Sequence, residues 1–172
     1  MKISVITVCF NCERTIENTI KSVINQDYKD VEYILIDGAS TDDTLKIINK
    51  YDYKISKIIS EKDVGIYDAI NKGINIASGE IISLLHGNDI FFNNQVLSRA
   101  VGFFLKNKDL DVLLADVAFK RDLKDMKFSR YYPSKYFKPW MLRIGYSPPH
   151  LSSFFTKKAI SINGLYDNKF KI

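Results

Sequence analysis

Short apolar segments alternate with segments of helical periodicity along most of the chain. Five apolar runs, rich in Ile, Val and Leu and without strict alternation, recur at roughly 25-residue intervals. Such runs are typical of strands that are buried on both faces of a parallel sheet. The predicted strands are Ile3–Cys9, Val31–Ile36, Ile55–Ser60, Glu80–Leu85 and Asp111–Phe119.

The segments between these runs place apolar residues on one face of a helix, three or four positions apart. Strands and helices that alternate at this spacing predict a doubly wound α/β sheet with right-handed crossovers. The predicted helices are marked by Ile16, Ile20, Val23 and Ile24; by Leu45 and Ile48; by Ile66, Ala69, Ile70 and Ile74; and by Leu97, Val101, Phe104 and Leu105.

The alternation ends near residue 120. The segment Lys120–Pro149 is charged and aromatic and has no clear period, which predicts loops and short helices over one face. Its aromatic residues, Tyr131–Trp140, could line a groove or pack into a core. Because the chain stops within what reads as an ordered segment, we expect one domain, residues 1–172, that is truncated at its C-terminus.

Composition and charge narrow the range of partners. The 172 residues suffice for one domain, and no apolar run approaches the roughly 18–20 residues that span a bilayer. No signal peptide is recognisable, so we expect a cytoplasmic protein. The first hundred residues carry three more acidic than basic residues, whereas the rest carry eight more basic ones. That second half suits an anionic partner such as a membrane surface, although a solvated lysine-rich surface is the alternative.

Polar and aromatic side chains follow four of the predicted strands. In an open parallel sheet, ligands bind beyond the carboxyl ends of the strands, so these side chains predict a site. Glycine loops that cradle phosphate, GxGxxG and GxxxxGK[ST], are absent. The four groups are Phe10-Asn11, Asp37–Ser40, Glu61–Gly65 and His86–Asp89.

A diphosphate bound at this edge would need another source of positive charge. Asp89, assisted by Asn88 or His86, could hold Mg²⁺ or Mn²⁺. Phe10 could stack on a base, and Asp37 could accept a hydrogen bond from the base or a ribose hydroxyl. His86 could instead be a loop histidine that is satisfied locally.

The segment Cys9-Phe10-Asn11-Cys12 has the C-x-x-C spacing of redox pairs and lies at a predicted strand end. The alternative is that Cys9 ends the strand and Cys12 enters the loop as small residues. The chain lacks a preceding βα unit, which favours the second interpretation.

Three segments resemble family 2 inverting glycosyltransferases of the GT-A nucleotide-diphospho-sugar fold. The similarity runs from residue 3 to about residue 92 and is closest to the colanic-acid and capsule branch. It returns weakly at His150–Phe155 and Gly164–Asp167. The matching segments are Ile3–Asn11, Ile34–Thr44 and Ser60–Ile74 with Ala77–Glu80.

The resemblance implies roles for particular residues. His86, Asn88 and Asp89 fall where the family keeps its metal-binding DxD motif, with one carboxylate where two or three are common. His150 falls near the acceptor and is the candidate catalytic residue, whereas the catalytic base is expected beyond residue 172. The implied nucleotide-binding residues are Thr7, Phe10, Asn11, Asp37, Asp68 and Asn71.

The implied reaction transfers a sugar from a nucleotide diphosphate donor, expected to be a UDP-sugar, with inversion. Residues 1–92 would bind the nucleotide, and residues 93–172 would face a glycan or lipid-linked acceptor in bacterial surface polysaccharide synthesis. This interpretation expects no nucleic-acid partner. Two alternatives stay open: a catalytically inactive nucleotide-sugar binding fragment, and a basic peripheral domain that binds membrane or nucleic acid.

Overall fold

The structure, a computed structural model, describes residues 1–122, 127–148 and 152–169. In these residues, eight strands and five α-helices alternate along most of the chain. The strands are β1 Ile3–Cys9, β2 Val31–Asp37, β3 Lys57–Ser60, β4 Ile81–His86, β5 Val112–Leu114, β6 Val117–Phe119, β7 Arg130–Tyr132 and β8 Ser153–Thr156. The helices are α1 Ile16–Ile24, α2 Thr44–Ile48, α3 Ile66–Ile76, α4 Val96–Lys106 and α5 Lys157–Asn163.

Six of the strands form one mostly parallel sheet in the order β3-β2-β1-β4-β8-β5. β1 pairs in parallel with both β2 and β4, and β2 pairs in parallel with β3. The chain therefore builds the sheet outwards from β1 in both directions. At such a reversal point a crevice opens above the carboxyl ends of the strands, which is where ligands bind in α/β sheets.

The apolar core lies on both faces of this sheet. Alternate residues of β1 face opposite sides, so Val5 belongs to one buried cluster and Ile6 to the other. The first cluster contains Ile20 of α1 and Val101 of α4, and the second contains Ile70 of α3. The predicted α/β architecture with a mostly parallel sheet and flanking helices is confirmed.

The structure corrects the fifth predicted strand. The run Asp111–Phe119 is two short strands rather than one: β5 belongs to the main sheet, and β6 pairs only with β7 in a separate two-stranded sheet. The antiparallel strand β8 separates β5 from β4. A pattern of apolar residues cannot reveal this arrangement, because β8 joins the sheet from far along the sequence.

Two smaller predictions also need correction. Ile55 is buried but precedes the third strand, which begins at Lys57. Leu105 is 63% exposed, and the buried face of α4 contains Ala100 instead.

The second half of the chain exposes many aromatic residues. Short 3₁₀ helices at Ser134–Tyr136 and Pro139–Ile144 confirm the predicted short helices. Packing of the local aromatics into a core is not observed, since Tyr131, Tyr136 and Trp140 are all more than half exposed. Within the described ranges, no helix combines the length and the apolar character needed to cross a membrane.

Candidate functional site

A cleft of about 660 Å³ lies at the carboxyl ends of the parallel strands. The loops that follow β1 and β4 form much of its lining, together with the loop that leads into α3. Phe10, Asn11, His86 and Asn88 line this cleft, as the sequence predicted for a site at this edge.

The loop after β1 exposes an aromatic ring and forms hydrogen bonds with the loop after β2. Phe10 is 59% exposed at the cleft. The Asn11 backbone has a left-handed conformation with φ of 51°, and its N–H donates to Ser40 Oγ at 2.8 Å. The side-chain oxygen of Asn11 accepts from the N–H of Thr41 at 2.9 Å. Asn11 therefore holds two loops together at the edge of the cleft while Phe10 stays available for stacking.

Asp37 ends β2 beneath the cleft and has no exposed surface. Its carboxylate accepts from the N–H of Ser40 at 3.1 Å and from Ser60 Oγ at 2.6 Å, and Ser40 Oγ also donates to it. The acid thereby joins the ends of β2 and β3 to the loop that Asn11 holds. A contact with a nucleoside would require this network to open, so the predicted nucleotide-binding role of Asp37 stays a prediction.

The turn after β4 carries the three candidate metal ligands. The N–H of Gly87 donates to the Val8 carbonyl at 2.9 Å, which fixes the turn against the end of β1. The approach is so close that a Cβ on Gly87 would come within 2.6 Å of Cys9 Cβ. Asn88 is exposed in the cleft and His86 is half-buried there. Only glycine fits at position 87, and it places its neighbours at the cleft.

Asp89 has a carboxylate oxygen that could bind a cation. Its Oδ2 is buried and has no hydrogen-bond partner among the described residues, and burial raises the pKa of its carboxyl group. A buried carboxylate oxygen without a partner is costly unless a proton or a metal neutralises it. The described chain contains no cluster of three His, Cys, Asp or Glu residues around such a position. One carboxylate with an amide nearby fits Mg²⁺ or Mn²⁺, which commonly take their remaining ligands from phosphates and water.

Four charged residues also line the cleft. They are Glu13, Arg14, Asp42 and Asp63, so carboxylates outnumber the guanidinium three to one. Such a lining repels a bare diphosphate and attracts a cation. Asp63 belongs to the predicted group Glu61–Gly65 after β3, whereas nothing in the sequence distinguishes Arg14 from other arginines at a helix start.

Asp42 stabilises the start of α2 as well as lining the cleft. Its carboxylate accepts from the N–H of Thr44 at 3.0 Å and from the N–H of Glu13 at 3.2 Å. Desolvation acts to raise the pKa of Asp42, but these hydrogen bonds outweigh it and the pKa is lowered. Asp42 therefore has a structural role at the start of this helix.

Besides Asp37, three predicted nucleotide-binding residues do not line the cleft. Thr7 is fully buried in β1 and accepts a hydrogen bond from the Tyr33 hydroxyl at 3.2 Å. Asp68 accepts from the N–H of Val64 and pairs with Lys72 Nζ at 3.3 Å. Asn71 is buried on α3 and bonds to the chain near residue 166. A nucleotide-binding role for these three residues stays a prediction.

The remaining predictions concern His150 and the cysteine pair. His150 lies outside the described residues. Cys9 and Cys12 are free thiols, and burial followed by the nearby Asp37 carboxylate raises the pKa of the Cys9 thiol. A thiol that resists ionisation is a poor redox nucleophile. The structure therefore favours the interpretation that these cysteines pack at the strand end.

Comparison with curated proteins finds bacterial glycosyltransferases. The uncharacterized glycosyltransferase Rv1514c of Mycobacterium tuberculosis is 40% identical over 100 residues, which cover 58% of this chain and 38% of that protein. The glycosyltransferase EpsE of Bacillus subtilis is 36% identical over 116 residues, which cover 65% of this chain and 41% of that protein. The matches thus span about two fifths of the length of these relatives.

Solved structures share the fold. Staphylococcus aureus TarS 1-349 in complex with UDP superimposes with a TM-score of 0.81 at 23% identity, covering 99% of this chain and 52% of that chain. The mannosyltransferase PcManGT of Pyrobaculum calidifontis, in complex with GDP-Man and Mn²⁺, gives a TM-score of 0.74 at 17% identity, with 97% of this chain and 48% of that chain covered.

A family model provides the assignment. The model described as glycosyl transferase family 2 matches residues 4–161, which include all of the cleft lining and, apart from Ile3 and the last two residues of α5, every strand and α-helix described above. The chain therefore belongs to glycosyl transferase family 2.

Proposed function

We propose that the cleft binds a UDP-sugar together with Mn²⁺ or Mg²⁺, and that the protein transfers the sugar with inversion to a glycan or lipid-linked acceptor. The observation that carries the proposal is the buried Oδ2 of Asp89, which has no hydrogen-bond partner in the part of the chain that the structure describes. Asp89 directly follows Asn88, which lines the acidic cleft at the carboxyl edge of the sheet. The UDP bound to TarS and the Mn²⁺ bound to PcManGT support the choice of ligands.

Residues at different positions in and beside the cleft would bind different parts of the donor and its cation. The exposed ring of Phe10 would stack on the base, and Asn11 and Asp37 would hold the loops that shape the nucleoside pocket. Asp89, with Asn88 or His86, would hold the cation. A bound divalent cation stabilises negative charge as a diphosphate leaves. The transfer needs a base that takes the proton of the acceptor hydroxyl, and we keep His150 as a candidate residue on the acceptor side.

The two halves of the chain would serve the two substrates. Residues 1–92 supply Phe10, Asn11, Asp63 and the turn after β4, so we assign them to the nucleotide. We assign residues 93–172 to the acceptor. Similarity to EpsE is consistent with surface polysaccharide synthesis and with the capsule branch of the family.

Membrane contact is a further part of the proposal, supported by the segment of residues 130–146. This basic aromatic segment carries four Lys or Arg residues and no acidic residue. Tyr131, Tyr136, Trp140, Leu142 and Ile144 within it are each more than half exposed. Aromatic and apolar side chains beside basic ones suit the interface of an anionic membrane. A lipid-linked acceptor on the inner face of the membrane would then lie close to the enzyme.

Calorimetric titration of UDP into the protein, with Mn²⁺ and then with chelator, tests the donor site. We expect Mn²⁺-dependent binding that Asp89→Asn weakens at least about tenfold, since the substitution removes the charge that holds the cation. Phe10→Ala should weaken UDP by about five- to tenfold through lost stacking. Asp109→Asn, an exposed acid away from the cleft, is the matched control and should change nothing.

Each result decides a separate part of the proposal. Equal UDP affinity with and without metal would refute the proposed role of the cation. Tighter binding of GDP than of UDP would refute uracil as the preferred nucleotide base. Absence of binding by any nucleotide would refute the donor site and favour the basic peripheral domain. Binding without release of UDP from any donor would favour the inactive binding fragment.

A further inference from the structure

Asn71 on α3 forms hydrogen bonds with both the N–H and the carbonyl of Tyr166, which lies 95 positions further along the sequence. Its Oδ1 accepts from the N–H of Tyr166 at 2.9 Å, and its Nδ2 donates to the Tyr166 carbonyl at 2.8 Å. The same Nδ2 also donates to Asn168 Oδ1 at 2.9 Å. Asn71 is only 8% exposed, so both ends of its amide are committed to this contact.

A ring contact one helical turn earlier holds the same segment. Tyr67 stacks on Tyr166 with ring centroids 5.4 Å apart and ring planes 11° from parallel. Tyr67 and Asn71 lie four positions apart and therefore on one face of α3. Together they dock the C-terminal segment, which we define as residues 164–169, onto this helix.

The same helix borders the cleft at its first turn. Gly65, Ile66 and Ala69 line the cleft, and the N–H of Gly65 donates to the cleft acid Asp63 at 3.1 Å. Asn71 lies only two residues beyond Ala69. A ligand that orders the first turn of α3 would therefore also order the residues that hold the C-terminal segment.

We propose that Asn71 is a positioning residue that couples the nucleotide cleft to the C-terminal segment, in place of the nucleotide-binding role that the family resemblance implies for it. The inference rests on the proposed function, because it needs a ligand in the cleft. Its physical basis is entropic: once a ligand has ordered the first turn of α3, less conformational entropy is lost when the C-terminal segment docks on the same helix. The acceptor side of the molecule would in this way respond to the presence of the donor.

Amide hydrogen exchange of the whole chain, with and without UDP and Mn²⁺, tests the coupling. In the unsubstituted chain, UDP should slow exchange in the C-terminal segment although that segment does not line the cleft. Asn71→Asp keeps the acceptor for the Tyr166 N–H but loses both donated bonds. We expect about tenfold faster exchange at Tyr166, loss of the response to UDP, and a UDP dissociation constant within about threefold of the original.

Two further variants separate positioning from folding. Asn75→Asp adds the same charge at an exposed position of the same helix and should leave both readouts unchanged. Tyr67→Ala removes the ring contact without burying a charge, and it should change exchange in the same direction as Asn71→Asp. These two variants keep the test valid even where Asn71→Asp lowers overall stability.

The measurements distinguish failure of this inference from failure of the proposed function. A large loss of UDP affinity in Asn71→Asp with unchanged exchange at Tyr166 would make Asn71 a nucleotide ligand and overturn the inference. UDP binding without any change of exchange in the C-terminal segment would also overturn it while leaving the proposed function intact. No UDP binding by the unsubstituted chain would instead refute the proposed function itself.

Discussion

Glu32 lies at the amino edge of the sheet, opposite the cleft, where one buried carboxylate joins three parts of the chain. It accepts from Ser4 Oγ at 2.5 Å, and from the N–H and the hydroxyl of Ser78 at 2.7 and 2.8 Å. Lys2 and Lys57 lie within 3.8 Å. Desolvation acts to raise the pKa of Glu32, but the hydrogen bonds outweigh it and lower the pKa to about 2.

Glu32→Gln should therefore lower the free energy of unfolding in a pH-dependent way. Because the pKa is lower in the folded chain than the ordinary value of 4.5, the ionised acid stabilises the fold above that value, and the contribution declines as the pH falls towards 2. We expect the free energy of unfolding to fall by roughly 2–3 kcal/mol at neutral pH. The difference between the variant and the original chain should shrink as the solution becomes acidic. Urea denaturation over a pH series measures it.

Glu61→Gln is the matched control for this substitution, because the Glu61 side chain is 58% exposed and pairs only with Lys72 at the surface. It should change stability by no more than about 1 kcal/mol. A Glu32→Gln difference that is constant from neutral to acid pH would contradict the assigned role of the carboxylate.

At the residue level, sequence alone identified side chains by their place after a strand. That rule located Phe10, Asn11 and Asn88 at the cleft, because the loops after β1 and β4 form much of its lining. It could not show what Asn71 contacts, since that depends on a segment 95 residues away. Burial of Asp37 among serines was likewise not visible in the local pattern.

The contact between α3 and β1 sets the distance between this helix and the sheet. A Cβ on Gly73 would come within 2.3 Å of Ile6 Cγ2 and 3.5 Å of Ile36 Cγ1, so the helix lies directly on the strands. Packing this dense leaves no room for a methyl group without movement of helix or strand.

Gly73→Ala should destabilise the protein although alanine favours helix. The gain in helix propensity is at most about 1 kcal/mol, and overpacking costs about 1–3 kcal/mol, so we expect a net loss of about 1–2 kcal/mol. Thermal or chemical denaturation measures the loss. Gly102 on α4 is the control, because a Cβ there meets nothing within 4 Å and alanine should stabilise slightly. Greater stability of Gly73→Ala than of the original chain would contradict the packing described.

Elements were predictable where burial on both faces made the sequence pattern unambiguous. β1 has the predicted bounds, and β2 and β4 differ from prediction by a residue at an end, because all three are flanked by strands and covered by helices. β5 and β6 are three residues each and partly exposed, so their apolar run carried no sign of the break between them.

At the scale of the whole molecule, charge is divided between two regions. The first hundred residues have an acidic excess and contain the acidic cleft lining. The basic aromatic segment lies in the other part of the chain. A membrane with anionic lipids would attract the second region and repel the first, which orients the molecule as well as binding it.

Co-sedimentation with vesicles tests this orientation. We expect binding to vesicles that contain phosphatidylglycerol, little binding to pure phosphatidylcholine, and weakening by salt. The double variant Lys135→Glu/Lys138→Glu should bind at least about tenfold more weakly, since each basic residue contributes about 1 kcal/mol near the surface. Lys29→Glu/Lys50→Glu makes the same charge change on exposed residues elsewhere and is the control.

Equal loss in both double variants would show that net charge alone governs the attraction. Retention of binding in Lys135→Glu/Lys138→Glu would contradict a role for the basic aromatic segment. Either result would leave the donor-site proposal unaffected.

The small sheet of β6 and β7 has a consequence for how specificity can diverge. These strands pair with each other and are not part of the six-stranded sheet that carries the cleft. Mutations, insertions or exchange of this hairpin would therefore leave the hydrogen bonds of the large sheet intact. Selection could alter the surface of this hairpin while the large sheet and its cleft stay constant. Such a division allows one ancestral scaffold to give rise to many descendants that differ at this surface.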